Sequence, residues 1–424
     1  MKARYDVVVV GGGMVGASLA LQLATTFAES LSICLVEGFS LPDQAGSNDQ
    51  DYHPSFDARS TALSYSSRII YERLGVWSRL EKWLCPIESI HVSSRGHFGS
   101  SLLQASDHNW PALGYVVENT WLGNILLQRL RSMDSITLLS PARVVSATAQ
   151  TDGMRLRVEG GPQETIETAL LVVADGAGSS LRAALGMQVQ HTPYEQHALI
   201  ANVSHALKHS NCAFERFTDQ GPLAFLPLWQ SKSGENRSAL VWTVPPEQAV
   251  YLQAAGELEF LQTLQDRFGY RLGRMLGVGE RHSYPLSLVQ SQEQVRQGVV
   301  VMGNAAHALH PVAGQGFNLA LRDVAQLSTV LKEGVEFGSQ LGDISLLQHY
   351  LTLQQADQSR TIEFSDRVPA LFMLTDPVLG LTRDMALSSL DILPPLKRLF
   401  VRHAAGMAAM PRALDALKPG AQHG

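Results

Sequence analysis

The chain has 424 residues, 45% of them hydrophobic and 17% charged, which is the make-up of a folded globular protein and excludes a disordered one. Its length allows one large domain or two closely joined ones. The formal net charge of −6 gives no electrostatic grip on nucleic acid, and the three scattered cysteines, Cys34, Cys85 and Cys212, form neither a CxxC zinc pattern nor a disulfide framework.

This cysteine usage suits a reduced, cytoplasmic compartment. The N-terminus shows no charged stretch leading into a long apolar one, so no signal peptide is expected. The apolar runs fall short of the roughly 20 residues that span a bilayer, which leaves peripheral contact, at the inner face of the membrane, as the form open to this chain.

In chain order, residues 5–10 are a β-branched run that stops at glycines, the pattern of a strand buried on both faces. Residues 14–26 read as a helix and residues 31–37 as a second buried strand, so a right-handed βαβ unit opens the chain. Residues 41–55 are polar and predict an exposed loop, and residues 61–74 predict a helix. Alternating segments over 87–117 predict strands, 122–131 a helix and 170–174 a buried strand. From about residue 190 strands follow at 198–203, 223–228 and 239–244, broken by a turn at 231–236, then a helix at 255–268. Residues 299–302 return to the buried parallel pattern, and beyond Gly316 the chain reads as helical.

Three motifs carry chemistry. The first is Gly11-Gly12-Gly13-Met14-Val15-Gly16, a GxGxxG on Gly11, Gly13 and Gly16 that follows a strand and opens a helix. Its glycines allow a tight turn, leave bare backbone for a pyrophosphate, and let helix and strand pack closely. The phosphates would sit at the helix N-terminus, at Met14 and Val15, facing free N–H groups. Glu37 ends the second strand, 21 residues after Gly16, where a carboxylate accepts from the adenosine ribose hydroxyls and repels a 2′-phosphate. That favours FAD or NAD over NADP at this site.

The second motif is Asp175-Gly176-Ala177-Gly178-Ser179-Ser180-Leu181-Arg182, a DGxxSxxR after a strand. The third runs from Gly303-Asn304 through His307, His310 and Pro311 to Gly314-Gln315-Gly316-Phe317-Asn318. Together the three resemble the class A flavoprotein monooxygenases, which share the fold of para-hydroxybenzoate hydroxylase. The resemblance covers residues 6–323.

The fold this implies is α/β, a Rossmann-like FAD-binding domain with an inserted substrate β-sheet domain and a helical C-terminal region. The expected division is a discontinuous FAD-binding domain of 1–75, 115–185 and 285–335, a substrate domain of 76–114 and 186–284, and helices over 336–424. Asn304, after the strand end, can reach the ribityl or phosphate part of the dinucleotide; by resemblance Gly314, Gln315, Gly316 and Phe317 line the isoalloxazine ring, and Asp175, Pro311 and Asn318 are further cofactor-binding residues. The helix start after Gly314 would stabilise negative charge on reduced flavin. Most members of the family have Asp where this chain has Asn304, which keeps an acceptor and loses the charge. The Asn form, with Leu309-His310-Pro311, resembles the 2-octaprenyl-6-methoxyphenol hydroxylase branch of the ubiquinone hydroxylases.

Asp57-Ala58-Arg59-Ser60-Thr61-Ala62-Leu63 matches the DxRxxAL pattern of that group and sets Arg59 near the flavin. Gln128 corresponds to a helix glutamine that contacts FAD, and Phe225 and Pro227 to a substrate-sheet strand facing it. His307 and His310 have no third ligand at metal spacing, so no metal is expected.

The resemblance implies FAD as bound cofactor, with NAD(P)H and O2 as co-substrates and one oxygen atom passed to an electron-rich ring. The substrate would be an apolar prenylated phenol. Contact with other ubiquinone-biosynthesis proteins, or with a membrane through residues 377–402, is a further expectation. The residues name no catalytic acid or base. Two other readings stay open: a different flavin enzyme, such as a prenyl reductase or a sister ubiquinone-pathway hydroxylase acting at another ring carbon, and a non-catalytic binding protein of the Rab GDP-dissociation inhibitor kind.

Overall fold

The computed structural model describes residues 3–41, 59–95, 100–230, 234–310, 314–373, 401–402 and 405–407. A parallel core sheet begins with the strand Arg4–Val10, whose last four residues are all buried. Its order is Val295–Arg296, Val299–Val301, Thr165–Val173, Arg4–Val10, Ile33–Val36 and Ile136–Leu139, with Gly153–Glu159 attached antiparallel to Thr165–Val173 and Arg143–Gln150 antiparallel to Gly153–Glu159. Val, Ile and Leu fill the central parallel strands because these are covered on both faces.

The register aligns the carboxyl ends. Val10 pairs with Val173 and Val36, Val173 pairs with Val301, and Val36 pairs with Leu139. The turns that follow therefore gather at one edge. The helix Met14–Thr26 crosses over between the first two strands, with Leu19, Leu23 and Ala20 fully buried.

Residues 61–74 do not form one helix. Ser60–Ser64 is a strand paired antiparallel with Gly114–Glu118, and the helix is Tyr65–Arg73. Ser64 is the N-cap, its hydroxyl accepting from Ser67 N at 3.4 Å, so the chain leaves the strand exactly where a capping side chain stands. The helix expected at 255–268 also begins later, at Glu257, and is preceded by a separate helix, Pro246–Ala254, opened by proline.

A second, mixed sheet carries Ser89–Ser94, Ser100–Gln104, Cys212–Thr218, Gly221–Leu228, Asn236–Val244, Val189–His205 and His282–Ser291. The last of these strands crosses the boundary expected at residue 285 and stays in this sheet throughout. One face packs under the helices Pro246–Ala254 and Glu257–Phe268, burying Leu199, Phe225, Leu240, Trp242, Phe260 and Phe268. The opposite face meets the small sheet of Ser60–Ser64, Gly114–Glu118 and Cys85–Ile87: Ala213, Leu228 and Ala239 pack on Ile87 and Val116.

Two long helices close the structure, Gln315–Glu336 and Ile344–Met373. They are joined by a buried ion pair, Arg322 Nε to Asp357 Oδ2 at 2.6 Å, with Thr361 Oγ1 accepting from Arg322 Nη2 at 3.2 Å. Of the expected C-terminal surface, residues 377–400 lie outside the described residues. Val401, Ala405 and Met407 are buried against the body of the protein, and Ser66 N donates to Ala405 O. Among the described residues no helix is long and apolar enough to cross a membrane.

Asp357→Ala removes one partner of a pair buried on both sides, leaving the Arg322 charge uncompensated. It should cost about 3–5 kcal/mol, read as a lower urea midpoint of the protein without cofactor; an unchanged midpoint would mean that the pair does not join the helices.

Candidate active site

The aligned strand ends bring the glycine turn and the second motif into contact. Gly11 has φ +107°, and a Cβ there would strike the Ala174 carbonyl and come within 2.8 Å of Asp175 N. A Cβ on Gly16 would strike the Gly11 carbonyl. Both positions therefore admit only glycine, for conformational reasons at the first and for close packing at both. Gly13 is the N-cap of Met14–Thr26 without a side-chain cap, and the first turn holds no acidic residue, so the helix N-terminus remains suited to an anion.

Glu37 is 7% exposed and pins this turn. Its Oε2 accepts from Gly12 N at 2.6 Å and its Oε1 from Phe39 N at 2.9 Å. A carboxylate oxygen can accept more than one hydrogen bond, the capacity a ribose hydroxyl would use. Gly12, which the GxGxxG spacing leaves unassigned, matters too: a Cβ there would lie 2.8 Å from the Cβ of Glu37.

Asp175 is partly buried. Desolvation raises its pKa, and Ser179, nearby backbone N–H groups and Arg182 pull the other way. Its Oδ1 is shielded from solvent and has no partner among the described residues, an orphan acceptor beside the glycine turn. Arg182 donates from Nη1 to Ala305 O at 2.5 Å and from Nη2 to Ala177 O at 3.0 Å, tying the second motif to the third. In the third, Gly303 has φ +61° and faces Val15, whose Cγ1 would be 3.1 Å from an added Cβ. Asn304 is exposed next to it.

Pro311 lies outside the described residues. Gly314, at φ +60°, stands over Ala62, and Asn318 fastens this turn to the strand Ser60–Ser64. Asn318 Nδ2 donates to Ala62 O at 2.8 Å and to Gly314 O at 2.7 Å. Its Oδ1 accepts from Ser64 N at 2.8 Å and Ser67 Oγ at 2.7 Å, so the amide is fully used inside the protein. Gln315 is buried, Gly316 has open space where a side chain would be, and Phe317 packs on the core. The helix Gln315–Glu336 also lacks a side-chain cap and first-turn acids, so its N-terminus suits partial negative charge.

Arg59 leads into the strand held by Asn318, and its guanidinium lies 5.0 Å above the Tyr284 ring of the mixed sheet. Asn119 N donates to Arg59 O at 2.7 Å, and Asn119 Oδ1 accepts from Thr61 Oγ1 at 2.6 Å. Asn119 thus sits beside the site, a residue that sequence reading passed over. The signal for it was its place as the first helical residue after a strand.

Gln128 stands apart from these residues. It is exposed, on an open cleft of about 690 Å³ with the stacked Trp83 and Trp121, and no other candidate lines that cleft. Phe225 and Pro227 need correction as well. Phe225 is fully buried against Phe268, at a ring distance of 4.6 Å, under the helices on the far face of the sheet. Side chains alternate along a strand, so Pro227 shares that far face while Ala224 and Leu226 point the other way.

The histidines have structural partners. His307 Nε2 and Asp323 Oδ2 are 2.7 Å apart, both side chains 1% exposed, and Gln358 Nε2 donates to Asp323 Oδ1. His310 stands edge-on to Tyr194, and burial pushes its pKa down to about 4, so it is a neutral imidazole. Among the described residues no group of three His, Cys, Asp or Glu could hold a metal ion.

The sequence pattern of the family described as FAD binding domain matches residues 4–352. This chain belongs to the FAD binding domain family. It is 33% identical to "Ubiquinone hydroxylase UbiL" of Rhodospirillum rubrum over 406 residues, covering 95% of this chain and 89% of that protein. It is 30% identical to "3-demethoxyubiquinol 3-hydroxylase" of Escherichia coli over 413 residues, covering 95% and 98%. Among solved structures, p-nitrophenol 4-monooxygenase PnpA from Pseudomonas putida superposes with a TM-score of 0.74 at 17% identity, covering 96% of this chain and 99% of that one, which shows the common fold. As a member of the FAD binding domain family with these relatives, the chain is an FAD-dependent monooxygenase, for which NAD(P)H and O2 are the typical co-substrates.

Glu37→Ala removes two backbone anchors and the carboxylate expected to accept from the ribose. A charged hydrogen bond contributes about 1.5–3 kcal/mol, so FAD affinity should fall about tenfold or more by fluorescence titration. Gln128→Ala should leave it unchanged. Equal losses in the two variants would overturn this placement of the adenosine end.

Proposed function

We propose that this monooxygenase hydroxylates the aromatic ring of a prenylated phenol in ubiquinone biosynthesis, converting 2-polyprenyl-6-methoxyphenol to the 1,4-benzoquinol. The observation that supports a greasy aromatic substrate is the inner face of the mixed sheet. There Ile90, Val92, Ala224, Leu226, Val241 and Ile200 each keep accessible surface on the side that meets Arg59 and the small sheet. The names of the relatives support the pathway, and one of them is named for hydroxylation at a different ring carbon.

In this reading Gly11, Gly13, Met14, Val15 and Gly16 hold the pyrophosphate and Glu37 the ribose. The orphan Asp175 Oδ1 and the exposed Asn304 serve the polar chain between phosphate and ring. Gly314, Gln315, Gly316 and Phe317 face the ring itself, with Asn318 fixing their turn and Arg59 closing the site from the neighbouring strand. FAD, when bound, supplies the redox and oxygen-transfer chemistry. The protein orients the phenol against it, and the apolar inner face keeps water away from the reacting carbon. Peripheral contact with a membrane or with other enzymes of the pathway is part of the proposal.

The test is quinone analysis of cells lacking the protein. Loss of ubiquinone with accumulation of the prenyl-methoxyphenol is expected. Normal ubiquinone in cells with no second hydroxylase would refute the assignment, and accumulation of an intermediate unhydroxylated at another carbon would move the enzyme to that ring position. Asn304→Asp should retain FAD and the same product, since either side chain offers an acceptor to a hydroxyl; a changed ring position would place Asn304 in the substrate site.

A further inference from the structure

One acidic side chain interrupts the apolar inner face. Glu215 lies on the strand Cys212–Thr218 and pairs with Ala224 on one side and Val92 on the other. The row continues through Val241 and Ile200 to His282, four strands away. Its neighbours along the strand, Phe214 and Arg216, point to the far face, where Phe214 meets Phe268 and Arg216 donates to Arg267 O. The alternation therefore aims Glu215 at the same side as Leu226 and Val241.

Among the described residues Glu215 Oε1 has no hydrogen-bond partner and no contact with solvent, although the residue as a whole retains some accessible surface. Burial alone, with no charged neighbour contributing, pushes its pKa up to about 7. The helix Ile344–Met373 packs against this strand, and four of its described ionisable groups have interactions of their own. Asp357 pairs with Arg322, Arg360 donates to Ala356 O, Asp366 acts on Tyr194 and His310, and Glu363 has its own interaction. An unpartnered buried carboxyl is costly to a fold, and proteins retain such groups where a ligand completes them.

We propose that Glu215 is the polar anchor of the substrate site: its carboxylate accepts the hydrogen bond of the substrate's ring hydroxyl and thereby sets which ring carbon is presented for oxygenation. This rests on the reading of the substrate as an apolar phenol. A row of Val, Ala and Ile can hold a ring in many rotations, whereas one acceptor at a fixed point selects among them. A hydroxyl donor also stabilises the ionised carboxylate that burial disfavours, so ligand and site each supply what the other lacks. A site of this kind rejects an analogue without the hydroxyl strongly.

The experiment uses the FAD-loaded full chain, with 2-geranylphenol and its O-methyl ether as probes, and binding read from the flavin absorption. Wild type should prefer the phenol by about tenfold or more, as expected of a charge-assisted hydrogen bond. Glu215→Leu and Glu215→Gln should retain FAD and reduce that preference to about twofold or less, with the ether bound no worse. Glu215→Leu should also melt at a higher temperature without ligand, because an uncompensated carboxyl is gone. A phenol preference unchanged in both variants overturns the proposal, as does a Glu215→Leu protein that melts lower while Glu215→Gln keeps the preference. Wild type that binds both probes equally overturns the Glu215 assignment alone. Wild type that binds neither overturns the phenol reading itself.

Discussion

The parallel register of four neighbouring strands is the constraint on which the site depends. With Val10, Val36, Val173 and Val301 level, their following residues meet at one edge, and there is no room for side chains where they cross. Gly11 against Ala174 and Asp175, Gly12 against Glu37, and Gly303 against Val15 are three consequences of that one alignment. In open parallel sheets, ligand sites form beyond the carboxyl ends of the strands for this reason. The same crowding brings Glu37, Asp175 and Asn304, far apart in sequence, to one place.

The third motif adds a second layer of constraint. Asn318 spends all of its hydrogen-bonding capacity on joining Gly314 to Ala62, Ser64 and Ser67. One turn later on the same helix Arg322 binds Asp357, and Asp323 binds His307. A single helix thus fixes the turn at its start, the strand that follows Arg59, the loop after Gly303 and the final long helix. Mobility in any of these would blur the candidate site, so the network sets its precision as much as its stability.

The glycine turns and the carboxylate beside them were legible in the sequence because their demands are local. A β-branched run ending in Gly11, a carboxylate closing the second strand and a DG turn after the third each signal themselves within a few residues. What the sequence did not reveal depends on pairing between distant segments. Residues 60–64 read as the start of a helix, and become a strand only because Gly114–Glu118 lies beside them. Phe225 was assigned to the inner face, but the direction of a strand residue depends on which face the helices Pro246–Ala254 and Glu257–Phe268 cover. Gln128 and Asn119 share a helix, and only its placement shows that Asn119 is the one beside Arg59. Glu215 carried no signal at all in a stretch with other charged residues; its distinction is a buried oxygen without a partner among the described residues.

The central claim is that the glycine-lined strand ends and the apolar inner face together make a flavin-dependent ring hydroxylase. Its most direct test is the fate of isotopically heavy dioxygen supplied to the purified, FAD-loaded protein with NAD(P)H and a prenylated methoxyphenol. The account predicts a quinol product carrying one heavy oxygen atom per turnover, traced by mass spectrometry. A product whose new oxygen comes from water, or NAD(P)H consumption that yields no hydroxylated ring, would contradict it.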